Sequence, residues 1–523
     1  MIGSLVHLAR NLQAGFVLAR EGALSLVDAS ALPPAARLAI RLGRLVERPG
    51  AGDGKARLSA ALTRLGPSYV KFGQFLATRP DIVGVAVARD LESLQDRMAP
   101  FPRAEAVALV EAALGRPLDG LFLDFSEPVA AASVAQVHRA RVRTAEGEAV
   151  VAVKVVRPGV RERFARDLQA MRAAARLFER LAPDARRLRP LEVVETLARS
   201  VTIEMDLRLE AAAVSELAEN TKEDPGFRVP RPFWDLTARD VLTSEWIDGI
   251  RLSDLPSIEA AGHDRVALGR TVIQSFLRHA IRDGFFHADM HPGNLFVDAE
   301  GRLVAVDFGI MGRLGLKERR FLAEILLGFI RRDYLRVAQV HFEAGYVPPH
   351  HSVEDFAQAI RAIGEPIHDR RADEISMAKL LTLLFEITAL FDMATRTELV
   401  MLQKTMVVVE GVARNLDPQL DMWTTSEPVV REWIERNLGP IGRIENAGRG
   451  VWTLAGVVAD LPQIAQRAER VLGQLEDVTA RGFPLHPDSI AAIGRAERTG
   501  NRWGVVALWI IAVLLTVILV EVL

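Results

Sequence analysis

The chain has 523 residues, more than one ordinary domain uses, so two or three folded units are expected. Its 65 Lys and Arg nearly balance 67 Asp and Glu, which leaves no global field to draw it to nucleic acid or to an anionic membrane, and any electrostatic function must be local. Cysteine is absent, which excludes disulfides, thiolate metal sites, iron–sulfur clusters and a cysteine nucleophile.

The opening segment, MIGSLVHLARNLQAGFVLAR, lacks the basic start, unbroken apolar run and small-residue cleavage site of a signal peptide, so the body of the protein is expected in the cytoplasm. Leu5, Leu8, Leu12 and Phe16 recur at helical spacing, as do Leu38, Leu42 and Leu45 among Arg37, Arg41, Arg44 and Arg48. These are amphipathic helices that either pack on their own domain or lie against a partner or a membrane surface. PGAGDGK, residues 49–55, is a turn-rich linker, and a second helical block carries GPSYVKFGQFLATRP and ends near LESLQDRMAPFP. From about residue 119 the period changes to two. PVAAASVAQVHRARVRT and EAVVAVKVV read as strands joined by a turn at Gly147, with FRVPRPFW and DVLTSEWIDG as two more and a long helical stretch, about 159–220, between the pairs. Beyond residue 264 helices dominate, except for short strands in LFVDAE and RLVAVDF about a turn at Glu300-Gly301. Finally, WGVVALWIIAVLLTVILV, residues 503–520, carries no charge. As a helix it would reach about 27 Å, enough for one transmembrane span. Arg495, Arg498 and Arg502 precede it and only Glu521 follows, which sets the body on the cytoplasmic side of the inner membrane.

Chemistry concentrates in HADMHPGNLFVDAEGRLVAVDFG, residues 287–309. A nucleoside triphosphate brings Mg2+, a hard ion that takes one or two protein oxygens beside phosphate and water. Asn294 and Asp307 supply that pair, and Asp289, five residues before Asn294, is placed to orient or deprotonate an attacking hydroxyl. Phe308 and Gly309 let the chain pack and turn directly after the metal ligand. Zinc on His287 and His291 is disfavoured, because the neighbouring donors are oxygens that suit Mg2+.

This spacing, H-x-D-x4-N followed by an apolar strand and D-F-G, resembles the catalytic and metal-binding loops of the protein-kinase-like fold. HADMHPGN is similar to the variant found in the UbiB/ADCK/AarF-type atypical kinase-like family, with His287 bracing the loop. The resemblance implies a strand lysine for the α- and β-phosphates, matched by Lys154 in VAVKVV. It places the phosphate-covering loop at Ala130, Ala131, Ala132, Ser133, Val134, Ala135, Gln136 and Val137. Side chains there restrict the turn where glycines would let backbone amides approach phosphate closely, yet AAS followed by AQVH is itself similar to the atypical family. In TIEMDLRLEAAA, Asp206 and Glu210 stand four apart on a helix. Glu210 matches the carboxylate that pairs with the strand lysine, and Glu204-x-Asp206 matches the family's own acidic motif. Lys71-Phe-Gly-Gln74, with LxxLQD at Leu91 to Asp96, resembles the family's N-terminal signature, whose helices fold over the nucleotide cleft with the lysine facing the acidic motif. A Lys71 contact to Glu204 or Asp206 would obstruct the path a protein kinase leaves for its peptide. No long polar segment ending in A-P-E follows Gly309, which makes a protein substrate less expected. LQKTMVVVEGVARNLDP, residues 402–418, is also similar to a helical signature of the family.

The resemblance covers most of residues 60–420 and implies an α+β, two-lobed protein-kinase-like fold. Its expected parts are an N-terminal helical lid (1–118), the kinase-like domain (119–345), a helical extension (346–500) and the terminal span. It further implies ATP and Mg2+ binding and a membrane-bound ATPase or kinase supporting ubiquinone or other prenyl-quinone synthesis. The partners would be prenylated quinone precursors, membrane lipid or quinone-biosynthesis enzymes, and pairing with a second copy as a homodimer stays open. The alternative is a nucleotide-gated scaffold without phosphoryl transfer. A small-molecule phosphotransferase shares the Asp and Asn loop but accounts for neither KFGQ nor the apolar tail.

Overall fold

The computed structural model describes residues 2–26, 57–77, 98–181, 189–367 and 397–438, with scattered positions between them. Contacts divide the chain into two compact units, 1–437 and 438–523, and the second lies beyond the described residues apart from Leu438.

Helix α1 (Ile2–Arg20) is followed by α2 (Arg57–Leu65), α3 (Pro67–Ala77) and α4 (Arg103–Leu114). An antiparallel sheet comes next, built from β1 (Asp124–Ala131), β2 (Ala135–Thr144) and β3 (Gly147–Val156) and completed later by β5 (Val241–Glu245), in the order β1-β2-β3-β5. Strand alternation sorts β3 into two faces. Val151, Val153 and Val155 pack with Phe101, Ala106, Val110 and Phe125 around α4. Lys154 and Val156 occupy the other parity, on the side of three helices: α5 (Val160–Leu181), α6 (Pro190–Glu204) and α7 (Leu207–Asn220). Tyr69, Phe72 and Phe75 of α3 lie against that same helical cluster, and Arg10 of α1 reaches Asp167 of α5 at 2.6 Å.

The segment expected to be one long helical stretch is thus three helices. Pro190 opens α6 and the Asp206 side chain caps α7 by accepting from Arg208 N, so each break has a local cause. FRVPRPFW forms only the two-residue β4 (Phe227–Arg228) and one bridge, Pro232 to Ser244, because proline donates no ladder hydrogen bond. Strand β4 joins β9 (Leu303–Ala305), β8 (Leu295–Val297) and β6 (Ile250–Arg251) in a second sheet, with Gly301 at φ +79° in the β8–β9 turn. A two-stranded ribbon, β7 (Phe285–His287) with β10 (Met311–Arg313), brackets the site segment.

The longer helices that remain are α8 (Arg265–Leu277), α9 (Leu316–Ile330), α10 (Tyr334–Glu343), α11 (Val353–Gly364), α12 (Thr397–Leu416) and α13 (Met422–Leu438). At Gly269 of α8 a β-carbon would lie 3.2 Å from the Ala413 carbonyl of α12, so the two helices meet through a glycine that leaves almost no gap. A π-helical turn, Arg278–Asp283, follows α8 and buries His279 against Asp224, whose carboxylate also binds Arg282.

No helix among the described residues is long and apolar enough to cross a membrane. The longest of them, the 22-residue α5, carries Arg161, Glu162, Arg163, Arg166 and Asp167 within two turns, a surface that hydrocarbon would not solvate. The expected span at 503–520 falls outside the described residues. On this finding the transmembrane part of the expected fold is corrected, and the single-pass placement at the cytoplasmic membrane is set aside with it.

Candidate functional site

Strand β3 holds Lys154 in register opposite Leu242 of β5, and α7 brings Glu210 to meet it. The Lys154 ammonium lies 2.8 and 3.0 Å from the two Glu210 oxygens and 2.8 Å from Asp307 Oδ1. Burial works against this ammonium, yet Asp307 and Glu210 together outweigh it and raise its pKa. Lys154 conversely lowers the Asp307 carboxyl to about 2. Burial pushes Glu210 upward against the pull of Lys154, so it keeps the greater proton affinity of the two acids. Asp307, the acid that Lys154 holds ionised, is the carboxylate of the two suited to an arriving divalent cation.

Asp307 adopts φ +63°, a left-handed conformation that a non-glycine residue takes at some cost. The backbone beside it is pinned, because Val306 N donates to Asn294 O at 2.9 Å. His287, buried at the end of β7, accepts the Asp289 amide at Nδ1 (3.0 Å), which leaves Nε2 to carry the proton and face Val306 O at 3.3 Å. Burial lowers the His287 pKa, in keeping with a neutral ring, and Phe308 packs against it with centroids 5.3 Å apart. His287 thus braces two stretches of backbone. His291, on the exposed side, accepts the Gly293 amide at 3.2 Å.

Asn294 Nδ2 lies 3.2 Å from Asp289 O and 3.3 Å from Asp289 Oδ2. Because the amide nitrogen is spent on Asp289, the amide oxygen is the atom left for a cation. Like the Asp307 carboxylate it is a hard oxygen donor, the type that suits Mg2+.

Lys71 and Glu204 are brought together, Nζ to Oε1 at 2.5 Å, while Asp206 is engaged by Arg208 at 2.7 Å and by the cap of α7. A β-carbon at Gly309 would come within 4.0 Å of Glu204 Cγ, so this ion pair lies beside the Asp-Phe-Gly turn. Gln74 is half-buried on α3, and Gly73 between them admits no side chain against Leu62 and Leu94.

The alanine-rich loop is a tight turn closed by Ala132 N donating to Ala135 O at 2.8 Å. Met98 N binds Ala131 O, and Arg157 grips the turn through Ala132 O at 2.7 Å and Ala99 O at 2.9 Å while its own N–H donates to Val134 O. Ala130 is exposed and Ala131, Ala132 and Val137 are half-buried, whereas Ser133, Val134, Ala135 and Gln136 are buried. Gln136 does not turn toward a ligand: its amide pairs with both backbone groups of Phe101, at 2.9 and 3.2 Å, and with His138 Nε2 at 2.9 Å.

Sequence reasoning passed over two residues here. Arg157 follows the lysine strand with nothing in its spacing to mark it. Thr405 sits within a helical signature, but only the fold reveals that its buried hydroxyl lies 3.0 Å from the Ala288 carbonyl and 2.8 Å from Met401 O.

The model of the ABC1 atypical kinase-like domain matches residues 93–341, and that of the UbiB helical domain matches residues 360–421. Over 417 residues the chain is 42% identical to the "Probable protein kinase UbiB" of Marinobacter nauticus, an alignment covering 79% of this chain and 76% of that protein. Among solved structures, the complex of Rv3197 with erythromycin from Mycobacterium tuberculosis aligns with a TM-score of 0.48 and 23% identity, over 76% of this chain and 95% of that one.

Proposed function

Because the chain belongs to the UbiB-type ABC1 atypical kinase-like family, we propose that its cleft binds ATP with Mg2+ and that phosphoryl transfer or ATP hydrolysis there supports ubiquinone or another prenyl-quinone synthesis. The substrates or effectors are prenylated phenol intermediates, or the enzymes that hydroxylate them. One observation carries this reading: Lys154 is held 2.8 Å from both Glu210 and Asp307, an arrangement that supports a role for this lysine in holding phosphate.

In this reading Lys154 gives up Asp307 to hold the α- and β-phosphates while Glu210 keeps it placed. Asn294 and Asp307 would hold Mg2+, whose charge would offset that of the phosphates. Asp289, fixed by the Asn294 amide and by the His287 brace, orients the attacking hydroxyl or water and accepts its proton. The loop at Ala130–Ala132 covers the phosphates. With Arg157 holding its carbonyls, it does so as a rigid turn that does not close down further.

The Lys71–Glu204 pair beside the Asp-Phe-Gly turn favours a second reading, in which nucleotide gates a scaffold for quinone-pathway enzymes and no phosphate moves. Phosphate release from purified full chain separates the two, measured with ATP and Mg2+ in detergent with and without a prenyl-phenol analogue. The catalytic reading expects release that the phenol alters and that Asp289→Asn abolishes while nucleotide binding persists. Binding without release in the unaltered protein eliminates it in favour of the scaffold.

A further inference from the structure

A second cluster of ligand-type side chains lies in the helical extension, on residues the cleft does not use. The loop before α11 reads Val347-Pro348-Pro349-His350-His351-Ser352, with Val347 buried. The two prolines fix their φ angles, and Ser352 caps α11 by accepting from Asp355 N at 3.1 Å, so the histidine pair sits between two stiff segments. The His351 ring packs on Phe391 at 5.2 Å, and Phe391 in turn packs on Phe356 at 5.0 Å within a buried core. The next residue, Asp392, holds φ +48°, a left-handed conformation.

The result is convergence. Asp392 Oδ2 lies 3.4 Å from His351 Nε2 and 3.7 Å from His350 Nε2, and the three ligand atoms all fall within 4.8 Å of one another. The 3.4 Å contact lies at the long end of hydrogen bonding and the 3.7 Å contact beyond it, since hydrogen bonds cluster at about 2.7–3.2 Å. Both separations suit atoms that share an ion, since metal–ligand bonds of about 2.0–2.1 Å set tetrahedral ligands about 3.3 Å apart.

We propose that His350, His351 and Asp392 bind a divalent transition metal of the zinc class, which clasps the prolyl loop to the turn carrying Asp392. Two imidazoles and a carboxylate select Zn2+, Co2+, Ni2+ or Cu2+ over Mg2+ and Ca2+, so the site is chemically distinct from the oxygen pair of the cleft. His350 and Asp392 have side chains 64% and 69% exposed, which leaves the outer coordination position to solvent.

The test uses untagged full-length protein stripped with EDTA and titrated with Zn2+ against a chromophoric chelator, with Co2+ as a spectroscopic substitute. His350→Ala and Asp392→Asn both alter exposed groups, and Asn tolerates the left-handed backbone. The unaltered protein should take up one equivalent more than either variant, or bind that equivalent at least about tenfold more tightly, since each variant lacks one of three ligands. Excess Mg2+ should not displace it, and Zn2+ should raise Tm in the unaltered protein alone. No uptake, or equal uptake in all three proteins as for an adventitious ion only, overturns the proposal.

Discussion

Replacing Asp307 by Asn separates what this residue does for the fold from what it does for the ligand. Lys154 holds the Asp307 carboxyl at about 2, against an ordinary 3.8. At about 1.4 kcal/mol per pKa unit that displacement is worth at most about 2.5 kcal/mol. The side chain is 52% exposed, so solvent screening cuts the contribution to roughly 1 kcal/mol. The sign follows from the lowered pKa: the contribution is complete above the unfolded value and fades as pH falls from about 4 toward 2. Lys154 keeps Glu210 in the variant, so its ammonium is not orphaned, and asparagine accepts φ +63° at least as well as aspartate. Unliganded Asp307→Asn should therefore unfold within a few degrees of the unaltered protein. Its nucleotide affinity should lose its dependence on Mg2+, because the charged metal ligand is gone. The assay is a fluorescent-nucleotide titration with and without Mg2+, alongside thermal unfolding of the apo protein. An unchanged Mg2+ dependence refutes the metal assignment, and a stability loss of several kcal/mol refutes the screening argument.

Two further substitutions probe the supports. Thr405→Val removes the hydroxyl facing the Ala288 carbonyl at nearly constant volume; it should cost about 1–3 kcal/mol in denaturant unfolding and lower kcat for phosphate release more than it raises KM, with Thr405→Ser restoring both. Asp224 lies in a buried network where burial would raise its pKa, but contacts with His279 and Arg282 outweigh that and hold it far below the carboxylate range. Its stabilisation is complete above about pH 4 and fades as pH falls toward the folded value. Asp224→Asn should cost about 2–3 kcal/mol at neutral pH, less than a fully orphaned buried ion because Asp283 still serves Arg282, and should flatten the acid limb of the stability curve.

The pairing of Lys154 with Glu210 could be expected ahead of the structure only through the resemblance of VAVKVV and TIEMDLRLEAAA to the atypical kinase-like family, since by pattern alone a strand lysine and a helix glutamate are surface residues; the segment 287–309 stood out by its own spacing. Distance in the chain hid the rest. Gln136 looks like part of a ligand loop until Phe101, 35 residues earlier, arrives to take its amide. Arg157 looks like a surface cation after a strand until the carbonyls of Ala132 and Ala99 fall within its reach. The period-two pattern of FRVPRPFW was misleading for a chemical reason, since its prolines remove the donors that a strand needs. The apolar run 503–520 suggests a span by its length and its flanking arginines, but it lies outside the described residues, among which no membrane-crossing helix stands.

The seam at Gly269 has a reach that its position, outside the cleft, does not advertise. A single methyl group there would press the Ala413 carbonyl by a few tenths of an ångström. Helix α12 behaves as a rod, and Thr405 lies about two turns back along it. A shift of α12 at Ala413 would reach Ala288, between His287 and Asp289, through the Thr405 hydroxyl, without any residue of the cleft having changed.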